Sequence, residues 1–199
     1  MRLFVAIDID AEIREKLSRF VTGVRGFAPE ARWAGPETLH ITLKFLGETA
    51  PERADEIKRA LAGIQHPQFD LHFGGSGFFP NPRSARVFWV GVEADERLAA
   101  LAAMIDEQCT ALGFERERNP YHPHLTLARS GQRVSGNPNP RAKAPDSRFQ
   151  RLGERLAAMP PPDFGTMTAR EFFLYESKLW PGGAQYTKIE RFELRNSGI

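Results

Sequence analysis

Apolar and polar positions follow two different rhythms along this chain. Residues 2–8 form a short apolar run bounded by acids, which predicts a buried strand. From Glu12 to Arg25 the apolar residues Ile13, Leu17, Phe20, Val21 and Val24 step by three and four, one face of a helix that Asp10 can cap. Gly26, Pro29, Gly35 and Pro36 predict a loop over 26–36, with Trp33 as a lid on the core. Leu39 to Leu46 reads as a strand closed by Gly47. Thr49 with Pro51 reads as an N-cap and first turn, and Ile57, Leu61 and Ile64 give that helix its apolar stripe. His66 and His72 carry no motif and are read as structural or exposed.

Residues 70–79 and 86–92 predict a strand pair joined by Pro80-Asn81-Pro82-Arg83-Ser84, and Val87–Val92 is apolar enough for a central strand. Leu98, Leu101, Met104, Ile105, Cys109 and Leu112 predict the longest helix. A strand ending near Arg129 follows. Gly, Pro, Asn and Ser then dominate up to about Asp146, which predicts a mobile loop within 130–165 and a short helix from Ser147 to Met159. Arg133, Arg141, Lys143, Arg148, Arg151 and Arg155 face only Asp146 and Glu154 in that stretch: a solvated arm for the most part, or one that meets a polyanion. Met167–Ser177 and Gln185–Leu194 predict two last strands. Helical connections mixed with hairpins fit α+β better than a doubly wound parallel sheet.

One pattern occurs twice. His40-Ile41-Thr42-Leu43 and His124-Leu125-Thr126-Leu127 both read His, apolar, Thr, apolar, 84 residues apart in a chain with five histidines. On a strand, side chains alternate between faces, so each pair presents an imidazole and a hydroxyl on one face and buries the other. Lys44 falls on the His40 face. Arg129 falls on the face opposite His124 unless a bulge or the strand end intervenes there.

Composition narrows the class. The chain has 199 residues, 41% of them hydrophobic, enough for one sizeable core or two lobes sharing an interface. A net charge of +2 argues against a strongly basic nucleic-acid coat and leaves room for a local basic site. Cys109 is the single cysteine, so no internal disulfide can form. The apolar start is too short for a signal peptide or a membrane span, so a soluble cytoplasmic protein, with no membrane partner, is expected. Gly74-Gly75-Ser76-Gly77 lacks the lysine and spacing of a phosphate loop.

Two histidines flanking one phosphorus can divide acid and base work: one deprotonates the nucleophile, the other protonates the leaving oxygen. Threonine hydroxyls can hold the non-bridging oxygens, and a nearby cation can offset charge. No metal or cofactor is needed. Two rivals use the same residues: a metal-dependent phosphoesterase ligated by His40, His122 and His124, and a non-catalytic module that binds a nucleotide or RNA end. Pro123 is a poor residue for an interior strand, which counts against the metal site.

The duplicated motif resembles that of the two-histidine (2H) phosphoesterases. Met1–Asp8, Arg32-Trp33 through Gly47, Phe79-Pro80-Asn81-Pro82 with Val87–Val92, Pro123 through Arg129, and Tyr175-Glu176-Ser177 through Tyr186 resemble the RNA 2′,3′-cyclic phosphodiesterases once described as 2′–5′ RNA ligases. The resemblance spans essentially the whole chain, although the 130–165 loop exceeds the pattern. It implies a single bilobal α+β domain over 1–199. Two antiparallel sheets flanked by helices and related by a pseudo-twofold would face a central cleft. It implies metal-free opening of a cyclic phosphate at an RNA end to a 2′-phosphomonoester, with weak reverse 2′–5′ ligation. His40 would be the proton donor and His124 the base, or the reverse, since the motifs are nearly symmetric. Thr42, Thr126 and Arg129 would bind phosphate, with Lys44 as a further candidate. RNA with cyclic phosphate ends, tRNA fragments among them, is the implied partner of a chain expected to be a monomer.

Overall fold

The structure, a computed structural model, describes residues 1–130, 149–180 and 183–195. The loop predicted to follow residue 130 lies largely outside the described residues. The chain runs β1 Arg2–Asp8, α1 Ala11–Val24, β2 Ala31–Trp33, β3 His40–Glu48, α2 Ala54–Ala62, β4 Phe69–Phe79, β5 Val87–Glu93, α3 Glu96–Ala111, β6 His124–Ser130, α4 Gln150–Ala157, β7 Asp163–Ala169, β8 Glu171–Trp180 and β9 Gly183–Glu193. The α+β class and antiparallel pairing follow the expectation.

Among the described residues the nine strands join one antiparallel ladder in the order β7-β4-β5-β6-β3-β1-β8-β9, with β2 alongside β6. The two motif strands meet in the middle through one register pair, Ile41 with Leu125. The expected two sheets are therefore two halves of a continuous ladder. Each half repeats one plan: a strand (β1 or β5), a helix (α1 or α3), then a motif strand (β3 or β6) antiparallel to the first.

One face of the ladder is covered. Buried residues of α1, α2, α3 and α4, such as Ile13, Leu17, Ile57, Leu61, Leu101, Ile105 and Leu152, share one apolar cluster with Leu3, Val5, Ile7, Ile41 and Leu125. Burying each such side chain contributes about 1.5–3 kcal/mol. Asp10 caps α1 by accepting from the Ile13 N–H at 2.8 Å. On the other face of β1 and β8, Phe4, Ala6, Phe173 and Tyr175 form a separate cluster with Tyr186 packed on it.

Several expectations need correction. The loop predicted over 26–36 contains β2, three residues too short to show periodicity. The strand predicted over 167–177 is two strands, divided at Arg170: β7 pairs with β4 and β8 pairs with β1, so one apolar run serves both ends of the ladder. Gly47 does not end β3. It sits within the strand at φ +73°, a conformation that favours glycine, and β3 continues to Glu48. Thr49 is no N-cap. Its hydroxyl donates to the Gly47 carbonyl at 3.2 Å, and the Pro51–Arg53 turn leads into α2 without a side-chain cap. Trp33 is the expected lid: half-buried, edge-on to Phe88, its indole N–H donating to the Ala28 carbonyl at 3.0 Å.

Candidate active site

The central register pair organises the site. Ile41 stands opposite Leu125, and both are fully buried. Carried one residue either way, antiparallel register sets His40 across from Thr126 and Thr42 across from His124. Each histidine thus faces the other motif's threonine, all four side chains half-buried on the face away from the helices.

The two imidazoles are held alike. His40 Nδ1 lies 2.7 Å from the Thr38 carbonyl, and His124 Nδ1 lies 2.7 Å from the His122 carbonyl. A carbonyl only accepts, so each Nδ1 carries the hydrogen and each Nε2 is left to accept or pass on a proton. Burial pushes His40 down to about 4; the Thr38 carbonyl and the Asp8 carboxylate oppose this, while Arg129 and His124 add to it. Burial also pushes His124 below its ordinary value, opposed by the His122 carbonyl and reinforced by His122 and Arg129. Both rings are therefore neutral near pH 7.

Arg129 influences both histidines because β6 bulges. Phe88 pairs with Ala128 and Trp89 with Thr126, so Leu127 is the extra residue. Leu127 and Ala128 are both buried, and the alternation resumes one residue late, which returns exposed Arg129 to the Thr126 face. β3 bulges at the matching position: Val5 pairs with Lys44 and Ala6 with Thr42, leaving Leu43 extra.

That first bulge overturns the expected placement of Lys44. It turns away from the His40 face and is buried, its Nζ 2.6 Å from Asp106 Oδ1 and 2.6 Å from the Glu115 carbonyl. Phe45 takes the corresponding place on the open face and is 62% exposed. Lys44 instead anchors α3 and the chain beyond it to β3. Tyr121 adds a second tie, donating to the Thr42 carbonyl at 3.0 Å, so the approach to the second motif is bonded to the first.

Aromatic rings flank both histidines. Phe4 lies 4.8 Å and Tyr186 5.2 Å from His40, centroid to centroid. Phe79 lies 5.0 Å from His124 and 5.1 Å from Trp89. Trp89 lies flat over Gly77, where an added Cβ would come within 2.4 Å of the indole. The glycine-rich run in β4 therefore makes room for a ring, not a phosphate. No motif in the sequence marks Asp8. It pairs in register with His40 and is held by Arg14 at 2.6 Å and Lys188 at 2.5 Å. These cations outweigh burial and keep its carboxyl below the usual range.

His122 is exposed, and its ring stands 6.2 Å from that of His124. Among the described residues no three His, Cys, Asp or Glu side chains are placed to hold a metal, so the His40, His122 and His124 trio is not assembled. His66 is buried, its Nδ1 2.9 Å from the Pro67 carbonyl, and half-buried His72 lies beside Asp163 and Glu93, as expected of motif-free histidines.

Known proteins resemble this chain in sequence and fold. An RNA 2′,3′-cyclic phosphodiesterase of Archaeoglobus fulgidus is 35% identical over 97% of this chain and all of its own length. The Escherichia coli protein of the same name is 32% identical over 97% of this chain and 96% of its own. The crystal structure of E. coli LigT complexed with 3′-AMP superposes with a TM-score of 0.75 over 97% of each chain at 32% identity. A Thermus thermophilus protein, TT0787, superposes with a TM-score of 0.74 over both full chains at 29% identity. The 2′-5′ RNA ligase superfamily model matches residues 8–157, both motifs included, and the chain belongs to that superfamily of 2H phosphoesterases.

Proposed function

We propose that this chain is an RNA 2′,3′-cyclic phosphodiesterase that opens the terminal cyclic phosphate to a 2′-phosphomonoester without a metal. The observation that carries this reading is the pair of equivalently held imidazoles, each across from the other motif's threonine. In the forward step water attacks phosphorus while the bond to O3′ breaks. His124 Nε2 takes the proton from water, and protonated His40 Nε2 gives a proton to O3′. Thr42 and Thr126 hydroxyls donate to the non-bridging oxygens, and Arg129 offsets their charge. The Asp8 carboxylate favours the imidazolium of His40 and opposes the burial that disfavours it. Microscopic reversibility lets the same groups run a weak 2′–5′ ligation.

Residues 1–199 form one two-lobed domain with a motif in each lobe, which acts as a monomer in the cytoplasm on RNA ends such as those of tRNA fragments. Among the described residues no helix is long and apolar enough to cross a membrane. The full-length relatives carry this activity in their names.

The test is incubation with a short RNA ending in a 2′,3′-cyclic phosphate, in excess EDTA, with identification of the product. A 2′-phosphate is expected. A 3′-phosphate would reverse the cyclic ester in the site. Activity lost in EDTA and restored by zinc or manganese would favour a metal site. Tight binding without turnover would favour the binding module. His40→Ala and His124→Ala should each lower kcat about 10²–10⁴-fold, and a wild-type rate in either would overturn the acid–base roles.

A further inference from the structure

Arg32 sits directly across β2 and β6 from Arg129. Opposed residues of an antiparallel pair project from the same face, so Arg32 shares the open face with Arg129, Thr126 and His124. Its neighbours confirm the alternation: Ala31 and Trp33 pack against the main core, while Arg32 is exposed. Among the described residues Arg32 makes no ion pair and donates no side-chain hydrogen bond. Val87 is the third residue in this row, pairing with Arg129 from β5, and brings no charge to balance the two guanidiniums.

Like charges placed opposite each other on a sheet destabilise it. The pair is favourable only when anions lie over it. One guanidinium, Arg129, acts on both histidines. Arg32 lies one strand further out, on β2. The spacing of directly opposed residues, about 5 Å at Cβ, sets a second cation beside the first at a distance suited to the next phosphate of a nucleic-acid strand.

We propose that Arg32 binds the phosphodiester immediately 5′ of the terminal nucleotide, so that the site prefers an oligonucleotide end over a free cyclic mononucleotide. This rests on the proposed phosphodiesterase reading, since it takes the reacting phosphate to lie between His40 and His124. Arg32 touches no reacting atom. It makes a second phosphate subsite that follows the backbone away from the motif pair across β6 to β2.

The experiment compares a tetranucleotide ending in a 2′,3′-cyclic phosphate with a 2′,3′-cyclic mononucleotide, in wild type, Arg32→Gln and Arg32→Lys. In Arg32→Gln the ratio of kcat/KM for tetranucleotide over mononucleotide should fall about tenfold, the loss of one charge-assisted phosphate contact. Arg32→Lys should recover part of it. A parallel anisotropy titration uses a labelled tetranucleotide ending in a 3′-phosphate. The slope of log K against log salt should shrink by about 0.7 in Arg32→Gln. The melting temperature should hold or rise, because a like-charge pair has been removed. An unchanged ratio and salt slope would overturn the proposal. So would an equal loss on both substrates, which would put Arg32 at the terminal phosphate or in a structural role. If wild type turned over neither substrate, the phosphodiesterase reading would fail, while the titration would still decide whether Arg32 binds the strand.

Discussion

Lys44 and Arg129 show how much one residue's face decides. Strict alternation puts Lys44 beside His40 and Arg129 away from His124, and the structure reverses both. Lys44 is instead the buried half of an ion pair with half-buried Asp106. Burial opposes the Asp106 charge, but the ammonium at 2.6 Å holds its carboxyl below the usual range. Removing one partner leaves the other poorly compensated, so Lys44→Ala should cost about 3 kcal/mol in urea unfolding. kcat/KM should stay within a few-fold wherever the variant remains folded. A loss of orders of magnitude with unchanged stability would return Lys44 to the phosphate site. The histidines carry a second residue-scale expectation. One must act protonated, yet burial lowers both. The bell of kcat/KM against pH should therefore be centred below about 6.5, the unperturbed histidine value. A centre well above 7 would contradict the neutral pair.

At the scale of elements, the two bulges are the feature to test. The signal for the β6 bulge is present in the sequence, where Leu127 and Ala128 break the alternation with two successive apolar residues. In β3 a buried lysine follows Leu43, and a charged residue at that point conceals the same event. Gly77 offers a direct probe of the β4–β5 face. Gly77→Ala places a methyl group on the Trp89 indole at 2.4 Å, and the ring must move off its bed. Trp89 pairs in register with Thr126, so the displacement reaches the second motif. A stability loss of about 1–3 kcal/mol is expected, with a raised KM for a cyclic mononucleotide. Wild-type stability and KM together would show that the ring shifts without consequence.

At the scale of the whole molecule, folding and site chemistry share a pH dependence. His40 is held neutral down to about 4, whereas in the unfolded chain it titrates near 6.5. Between those values the unfolded state binds more protons, so stability rises with pH across this window and falls on acidification from 6.5 to 4. Urea midpoints at pH 7.5 and 4.5 should show a smaller fall for His40→Gln than for wild type. Equal falls would mean that His40 contributes no such linkage.

The amino-acid pattern alone determined the α+β class, most of the strands and helices, the Asp10 cap and the pairing of each histidine with a threonine on one strand face. Those properties depend on residues within a few positions of each other, where periodicity and turn chemistry act directly. Tertiary structure alone decided that β3 meets β6 at Ile41 and Leu125, which crosses the two motifs, and that β2 brings Arg32 to Arg129. It also decided where Lys44 finds Asp106, 62 residues away. Register between distant strands, and the bulges that shift it, are set by hydrogen bonding and packing across the ladder, which short-range periodicity does not encode.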